Sequence, residues 1–367
     1  MKVGILGAGL LGRLMGVTLA RQGHAVSLYE AKGPQAEGSA ARVAAAMLAP
    51  LAESVITEPP VVQMGLHSLQ RWPELLQGLS QPVFFQREGT LILWHRQDAA
   101  QAQLFGQRLQ QTVAQLQASL SPFAGASGAS QQLPQPQMLD AQAIAQLEPA
   151  LASRFQQGIH LPQEGQLDNR ALLDALLAEL QRLEVDLHWH SPQTVEGLRA
   201  LQTPWDWVLD ARGMGAQPSL SDLRGVRGEV IRVQAPDVGL SRPTRLLHPR
   251  YPIYIAPKPD GVFVIGATEI ESEDLSPASV RSCLELLSAA YAVHPGFGEA
   301  RILEIGVQAR PTLPNNLPRI ANPEPGVLQI NGLYRHGYLI SPAVADAAMA
   351  WITQGSRDLA QQWQLCT

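Results

Sequence analysis

Three glycines near the start of the chain, Gly7, Gly9 and Gly12, have the G-x-G-x-x-G spacing of a dinucleotide-binding turn. In such a turn the first glycine allows a tight bend, the second lets the backbone approach a pyrophosphate, and the third lets a helix pack closely on a strand. Glu30 follows Gly12 by eighteen residues, where its carboxylate is placed to accept hydrogen bonds from the hydroxyls of an adenosine ribose. An acid there argues against the 2′-phosphate of NADP, so the motif leaves NAD and FAD as candidates.

The segments around these glycines have the pattern of a strand, a helix and a second strand. Residues 2–6 form a short apolar run, residues 10–22 have helical spacing without proline, and residues 25–29 are strand-like before Glu30. The helix would begin at the glycine turn, so its unsatisfied N–H groups and partial positive charge would face the phosphates. A chance glycine-rich turn is the alternative, but the ordered elements favour a Rossmann-like unit.

Almost every residue between 38 and 50 has a small side chain, and the segment ends at Pro50. This composition predicts a helix that the proline stops. Small side chains would let the backbone approach a large flat ring system, which favours FAD over NAD. The alternative is a buried alanine-rich helix that packs closely on a neighbouring element.

The remainder of the chain alternates between helical and strand-like segments. Helical spacing predicts helices over residues 66–79, 98–120, 169–183, 276–292 and 342–353. Apolar runs predict strands within 82–94, with a turn at Gly89, and over 185–190, 207–210, 226–233, 253–256, 262–267, 300–307 and 327–331. Residues 121–137 read as a connection rich in Gly, Ser, Gln and Pro, and residues 164–168 as a turn. Clustered strands in the middle indicate an insertion into a nucleotide-binding domain.

The composition is that of a compact globular chain with few charges. Its 367 residues are 46% apolar and 16% charged, and 27 basic against 32 acidic residues give a formal charge of −5. A mildly acidic chain without a basic run is a poor candidate for nucleic-acid binding. No apolar run approaches the ~20 residues that a transmembrane helix needs.

Cysteine and histidine usage argues against disulfides and metal sites. Cys283 and Cys366 are too few for a disulfide framework, which predicts a reducing, cytoplasmic location. His188 and His190 alternate along a predicted strand, but two histidines alone do not predict a metal site. The acidic run that contains Glu269 reads as a solvated turn.

Several segments, in order along the chain, resemble the D-amino-acid-oxidase superfamily of FAD enzymes, and most closely its glycine oxidase branch. The resemblance covers nearly the whole chain and rests on residues 7–30, 39–53, 158–168, 226–230, 254–258, 264–269, 310–311 and 332–337. Together with the strand pattern it implies an α/β fold with a discontinuous Rossmann-like FAD-binding domain over residues 1–80, 140–220 and 300–367. A β-rich α+β substrate domain, residues 81–139 and 221–299, would be inserted into it.

The resemblance also implies which side chains bind substrate and cofactor. Arg310 would pair with the substrate carboxylate, Tyr254 would hydrogen-bond it, and Arg335 would lie near the flavin edge and the substrate. The planar guanidinium suits a carboxylate because it donates two parallel charge-assisted hydrogen bonds. The implied cofactor contacts are Gly7, Gly9, Leu10, Leu11, Gly12, Glu30, Ser39, Arg42, Ala45, Ala46, Met47, Gly213, Gly332, Tyr334, Arg335, His336, Gly337, Tyr338 and Leu339.

Three departures from the family pattern bear on cofactor and substrate. Ala46 stands where the family usually has glycine, and Pro252 stands where glycine oxidases often have histidine. Neither cysteine occupies the position at which sarcosine oxidases tether their flavin, so the FAD is expected to be noncovalent.

The resulting hypothesis is FAD-dependent oxidative deamination of a small amino acid or secondary amine, of the glycine, sarcosine or D-amino-acid type. The imine would hydrolyse or supply thiamine thiazole synthesis, and O2 would accept the electrons to give hydrogen peroxide. One alternative is a dehydrogenase of the same fold that passes electrons to a quinone. Others are a flavoprotein that modifies a partner macromolecule and a nicotinamide dehydrogenase. Homo-oligomerisation stays open.

Overall fold

The computed structural model describes residues 1–120, 133–201, 204–249 and 252–366. The strands in chain order are β1 (Lys2–Leu6), β2 (Ala25–Tyr29), β3 (Met47–Leu48), β4 (Phe85–Gln86), β5 (Thr90–Trp94), β6 (Gln137–Asp140), β7 (Gln157–Leu161), β8 (Gly165–Leu167), β9 (Asp186–His188), β10 (Trp207–Asp210), β11 (Arg224–Gln234), β12 (Thr244–Leu247), β13 (Ile253–Lys258), β14 (Val262–Gly266), β15 (Arg301–Thr312), β16 (Arg319–Ala321) and β17 (Val327–Asn331).

The helices connect these strands and cover the sheets. In chain order they are α1 (Leu10–Arg21), α2 (Ala40–Val43), α3 (Pro50–Glu53), α4 (Pro59–Gln77), α5 (Ala99–Leu120), α6 (Ala141–Leu147), α7 (Asn169–Arg182), α8 (Val195–Arg199), α9 (Val280–Val293), α10 (Gly337–Gln354) and α11 (Asp358–Gln362). Within the described part of the chain, no helix is both long enough and apolar enough to cross a membrane.

A six-stranded sheet of order β16-β17-β10-β1-β2-β9 carries the glycine turn. Its strands pair in parallel except β16, which is antiparallel to β17. The apolar run in β1 is buried because the sheet has neighbours on both faces. Since β1 and β2 are parallel, their carboxyl ends meet at one edge and bring Gly7 next to Glu30. The predicted α/β fold with a Rossmann-like parallel sheet is confirmed.

The second large sheet has eight strands in the order β15-β11-β14-β13-β12-β5-β7-β6. The long strands β11 and β15 pair antiparallel from Arg224 opposite Thr312 to Gln234 opposite Arg301. A small sheet of order β3-β8-β4 completes the structure. Each large sheet has its own apolar core: α1, α4, α7 and α10 pack on the first, and α9 packs on the second.

The predicted small-residue helix over residues 38–50 is wrong. Helix α2 ends at Val43, the next residues are extended, and Ala46 has a φ of +54°. Met47 then pairs with Gln166 of β8, so this segment satisfies its backbone in a sheet instead of a helix. Pro50 begins α3 instead of ending a helix, which suits a residue without an N–H group.

Four other sequence predictions need correction, the first being the helix over residues 276–292, which begins at Val280 as α9. Residues 165–167 of the predicted turn form β8, because they pair with both β3 and β4. The last long helix, α10, begins at Gly337, five residues before the predicted start, and the short α11 follows it. Helix α4 begins at Pro59, where proline occupies the first helical turn. Residues 121–132 of the predicted connection lie outside the described residues.

The sheet membership of three strands crosses the predicted domain boundaries. Strands β6 and β7 begin at residues 137 and 157, and β15 spans residues 301–312, yet all three belong to the eight-stranded sheet. Pairing of β15 with β11 along its whole length explains its membership. The exact division into domains stays a prediction.

Candidate active site

A cavity of about 1160 Å³ runs between the two large sheets. One end lies at the glycine turn and Glu30, at the carboxyl edge of the parallel strands. The other end lies against β11, β13 and β15, where Tyr254 and Arg310 line it. The cavity therefore connects the predicted dinucleotide motif with the predicted substrate side chains.

The glycine turn at one end of the cavity leaves no room for side chains. Gly7 has a φ of +95°, in the left-handed region that glycine adopts without strain. A Cβ on Gly12 would overlap the carbonyl oxygen of Gly7, so close packing of α1 on β1 requires glycine there. Helix α1 begins after Gly9 without a side-chain cap, which leaves N–H groups free to face an anion.

Glu30 reaches across this turn at the end of β2. Its carboxylate accepts hydrogen bonds from the N–H of Ala8 at 2.7 Å and from the N–H of Lys32 at 2.9 Å. These bonds fix the orientation of the carboxylate, and Glu30 lines the cavity. The second acceptor site of each oxygen stays available to hydroxyl donors.

Residues 45–47 and 334–339 line the middle of the cavity. Tyr338 is buried, and its hydroxyl donates to the carbonyl of Ala41 at 3.0 Å, which ties α10 to α2. His336 is buried as well, and its Nε2 lies 3.0 Å from the hydroxyl oxygen of Thr57. Burial lowers the pKa of His336 to about 4, so this imidazole is neutral at neutral pH.

Arg310 and Tyr254 line the end of the cavity that is formed by the eight-stranded sheet. The guanidinium of Arg310 donates to the carbonyl of Thr268 at 3.1 Å and approaches the carbonyl of Arg227 at 3.5 Å. A Cβ on Gly228 would overlap this guanidinium, so glycine at that position makes room for it. Burial raises the pKa of the Tyr254 hydroxyl, which keeps the phenol protonated.

Arg335 differs from Arg310 because two carboxylates flank it. Glu53 lies 2.9 Å and Glu269 lies 3.0 Å from its guanidinium. Glu53 also pairs with Arg245 at 3.0 Å. Burial alone would raise the pKa of Glu53, but Arg245 and Arg335 outweigh it and hold that pKa below its usual range. Within the described chain, the buried Nε of Arg335 has no hydrogen-bond partner.

Most predicted site residues lie together on the cavity wall, and three do not. Among the described residues, the predicted contacts that do not line the cavity are Gly12, Arg42 and Gly332. Gly12 faces the Gly7 carbonyl, and Arg42 donates instead to the carbonyl of Gln35 at 3.0 Å. Their direct contact with the cofactor stays a prediction.

Sequence reasoning missed two carboxylates and one arginine of the cavity. Glu53 and Arg245 line it but received no role, although Glu53 ends one of the segments that carry the family resemblance. Glu269 is exposed, as predicted for a solvated turn, but it also pairs with Arg335 on the cavity wall, and no sequence pattern indicated this pairing. A carboxylate followed by other acidic residues gives no local signal of a partner more than sixty residues away.

Comparison with known proteins supplies the family. The family model described as FAD dependent oxidoreductase matches residues 2–351. The chain belongs to this family. A protein of Rhizobium etli, provisionally named thiamine biosynthesis oxidoreductase ThiO, is 39% identical over 345 residues, which are 94% of each chain. FAD is therefore the cofactor of this oxidoreductase, as the resemblance implied.

Two solved oxidase structures share the fold of this FAD-dependent oxidoreductase. Glycine oxidase from Bacillus cereus has a TM-score of 0.75 at 20% identity, over 98% of this chain and 96% of that one. Iminodiacetate oxidase from a Chelativorans species has a TM-score of 0.77 at 22% identity, over 99% of both chains.

The residues present fit FAD. The turn at Gly7 and Gly9, the oriented carboxylate of Glu30 and the unpartnered Nε of Arg335 lie along the same extended cavity. The free cysteines, Cys283 and Cys366, are not among the described residues that line it. Noncovalent binding of FAD stays a prediction.

Proposed function

We propose that this enzyme carries out the oxidative deamination of a small amino acid or secondary amine, of the glycine, sarcosine or D-amino-acid type. The substrate loses two electrons and two protons at its Cα–N bond and becomes an imine, which water hydrolyses. O2 takes up the electrons and protons and becomes hydrogen peroxide. The names glycine oxidase and ThiO among its relatives support this substrate class and a role in supplying imine for thiamine thiazole synthesis.

The observation that carries the proposal is the position of Arg310. Its described hydrogen bonds go to backbone carbonyls, whereas Arg335 and Arg245 pair with carboxylates. A guanidinium in a partly buried cavity that is not neutralised by a protein carboxylate favours an anionic ligand. Arg310 therefore binds the substrate carboxylate, and Arg335 has a different role.

Tyr254 and the neutral His336 differ in whether they donate a proton or a hydrogen bond to the substrate. The protonated phenol of Tyr254 donates a hydrogen bond to the substrate carboxylate. His336 holds no proton to give at neutral pH, because its pKa is about 4. When bound, FAD supplies the acceptor for the hydride from Cα, so binding and orientation are the main tasks of these side chains.

The charge balance of the cavity selects the form of the substrate. Arg245, Arg310 and Arg335 face Glu53 and Glu269, which leaves one net positive charge among these five side chains. An amino acid with an ionised carboxylate and a neutral amine has the matching single negative charge. A neutral amine also keeps the nitrogen lone pair that assists removal of hydride from Cα.

Anaerobic mixing tests the proposal. Purified enzyme with FAD is mixed without oxygen with glycine, sarcosine or a D-amino acid, and flavin absorbance is followed. We expect bleaching by at least one of them, followed on admission of air by recovery of the absorbance with one peroxide per imine. Bleaching without peroxide, while a dye or quinone is reduced, would show that O2 is not the acceptor. No bleaching by any amino acid would overturn the substrate class.

A further inference from the structure

Lys258, the last residue of β13, is a buried cation that the proposed reaction does not use. It is only 6% exposed, and burial lowers the pKa of its ammonium to about 7. Its Nζ donates to the carbonyl of Leu167 at 2.7 Å, to the carbonyl of Ala45 at 2.8 Å and to Oε1 of Gln166 at 3.1 Å. Burying a charge is costly, so three well-formed hydrogen bonds are needed to retain it.

The three acceptors match the three N–H donors of an ammonium group. They come from the segment before β3 and from β8, while Lys258 itself belongs to the eight-stranded sheet. The N–H of Leu167 in turn donates to the carbonyl of Ala46 at 3.1 Å. Lys258 therefore ties the Ala45 carbonyl directly, and the Ala46 carbonyl through Leu167, to β13.

The bond to Ala45 determines how the next peptide group is oriented. In a trans peptide the C=O and the following N–H point in opposite directions. The Ala45 carbonyl points at Lys258, so the Ala46 N–H points away from Lys258. Ala45 and Ala46 both line the cavity. The left-handed φ of Ala46, +54°, is unfavourable for alanine and needs such a constraint.

We propose that Lys258 is a positioning residue for FAD, which holds the peptide between Ala45 and Ala46 so that the Ala46 N–H is presented to the flavin ring. The proposal rests on the placement of the flavin against residues 45–47, which the family resemblance implies. It is independent of which amine is oxidised. The proposal gives a chemical reason for a buried ammonium between β13 and the segment that contains Ala45 and Ala46.

The experiment titrates FAD into apoprotein of the parent, Lys258→Met and Lys258→Arg, with thermal melting of each apoprotein. Flavin fluorescence quenching gives the Kd for FAD, and the visible spectrum reports the ring environment. Loss of an ammonium hydrogen bond and of the oriented N–H is expected to raise the Kd roughly tenfold to a hundredfold in Lys258→Met. The flavin absorption bands should shift as well. Lys258→Arg, which restores donors to the same carbonyls, should recover most of the affinity.

Arg242→Met is the matched control. Arg242 is also buried, and it donates to the carbonyls of Glu88 at 2.7 Å and Leu147 at 3.0 Å and pairs with Glu148 at 3.1 Å. None of these acceptors lines the cavity, whereas Ala45, which accepts from Lys258, does. We expect this variant to lower the melting temperature and to leave the Kd and the flavin spectrum unchanged. A similar loss of FAD in Arg242→Met would make the effect at Lys258 one of general stability.

A folded Lys258→Met variant with the parental Kd and spectrum would overturn the proposal. If Lys258→Met does not fold, Lys258→Gln is titrated instead, since it keeps a polar group but is one atom too short to reach all three acceptors. A Kd within twofold of the parent in that variant would overturn the proposal equally. Failure of amino acids to bleach the flavin would affect the proposed reaction, whereas these FAD titrations would stand.

Discussion

At the scale of single residues, the candidate site depends on charges that the backbone holds in place. The N–H groups of Ala8 and Lys32 orient Glu30, and the absence of a side chain at Gly228 makes room for Arg310. Arg335 is held by ion pairs with the carboxylates of Glu53 and Glu269. The contacts of Glu30 and of Arg310 each lead to a substitution that separates cofactor binding from substrate binding.

Replacement of Glu30 by alanine should weaken FAD binding more than it lowers the kcat per bound flavin. The carboxylate lies at the end of the cavity that the glycine turn forms, whereas Tyr254 and Arg310 line the other end. Loss of a charge-assisted hydrogen bond of about 1.5–3 kcal/mol should raise the Kd for FAD roughly tenfold to a hundredfold. Equilibrium dialysis gives the Kd, and kcat is expressed per bound flavin. Equal FAD retention in parent and variant would remove Glu30 from the cofactor site.

Replacement of Gly228 by alanine should raise the KM for amino acids while FAD content stays normal. The new Cβ overlaps the Arg310 guanidinium, which must move out of its position in the cavity. Gly239→Ala is the control, because a Cβ there meets only an ordinary contact with Ala150 at 3.7 Å. A KM at the parental value in Gly228→Ala would mean that the guanidinium position does not matter for substrate binding.

At the scale of elements, local patterns predicted most of the strands and helices but not the segment that lines the middle of the cavity. The glycine turn and its flanking strands follow from sequence because the motif is contiguous. Residues 38–50 looked helical because alanine favours helices. Pairing of Met47 with Gln166, more than a hundred residues later, overrides that preference, and no local pattern encodes such a pairing.

Local sequence patterns also fail to identify site residues whose role depends on a distant segment. Arg310, Tyr254 and Arg335 were identified through family motifs, and all three line the cavity. Glu53 and Glu269 were not identified, because their significance comes from Arg335, which reaches them from a distant segment. Charge pairing across the fold determines which arginine is available to a ligand, and residue type alone does not reveal it.

Helix α3 supplies a pH-dependent prediction at this scale. Oε1 of the fully buried Glu164 accepts from the N–H of Leu51 at 2.6 Å and of Ala52 at 3.0 Å. Burial raises the pKa of Glu164 from its ordinary 4.5 to about 7, so the folded protein favours the neutral carboxyl. The stability that this group contributes is complete below about pH 4.5 and is lost as the pH rises through 7.

Replacement of Glu164 by glutamine should therefore remove the loss of folding stability as the pH rises through 7. At pH 8 the variant should be more stable than the parent, by up to about 3.5 kcal/mol at ~1.4 kcal/mol per pKa unit, and the two stabilities should be nearly equal at pH 5. Melting temperatures of both proteins across this pH range give the comparison. If the melting temperatures of parent and variant change with pH by the same amount, Glu164 is ionised in the folded state and the prediction is wrong.

At the scale of the whole molecule, the two large sheets contribute opposite ends of one cavity. The parallel sheet provides the glycine turn and Glu30, and the eight-stranded sheet provides Tyr254 and Arg310. A dinucleotide bound in an extended form with its pyrophosphate at the glycine turn would therefore have its reactive ring near Tyr254 and Arg310. In the proposed reaction, Arg310 holds the substrate carboxylate at the end of the cavity that the eight-stranded sheet provides.

The steady-state kinetics of Arg310→Leu test this central claim most directly. Removal of one member of a buried charge pair costs about 2–5 kcal/mol. At ~1.4 kcal/mol per tenfold, the KM for glycine or sarcosine should rise roughly thirtyfold to several-thousandfold. FAD content should stay normal, and an amine without a carboxylate should lose much less. Arg319→Leu, which removes an arginine paired with Asp222 away from the cavity, should behave as the parent. Parental kinetics in Arg310→Leu, or loss of FAD together with activity, would contradict the account.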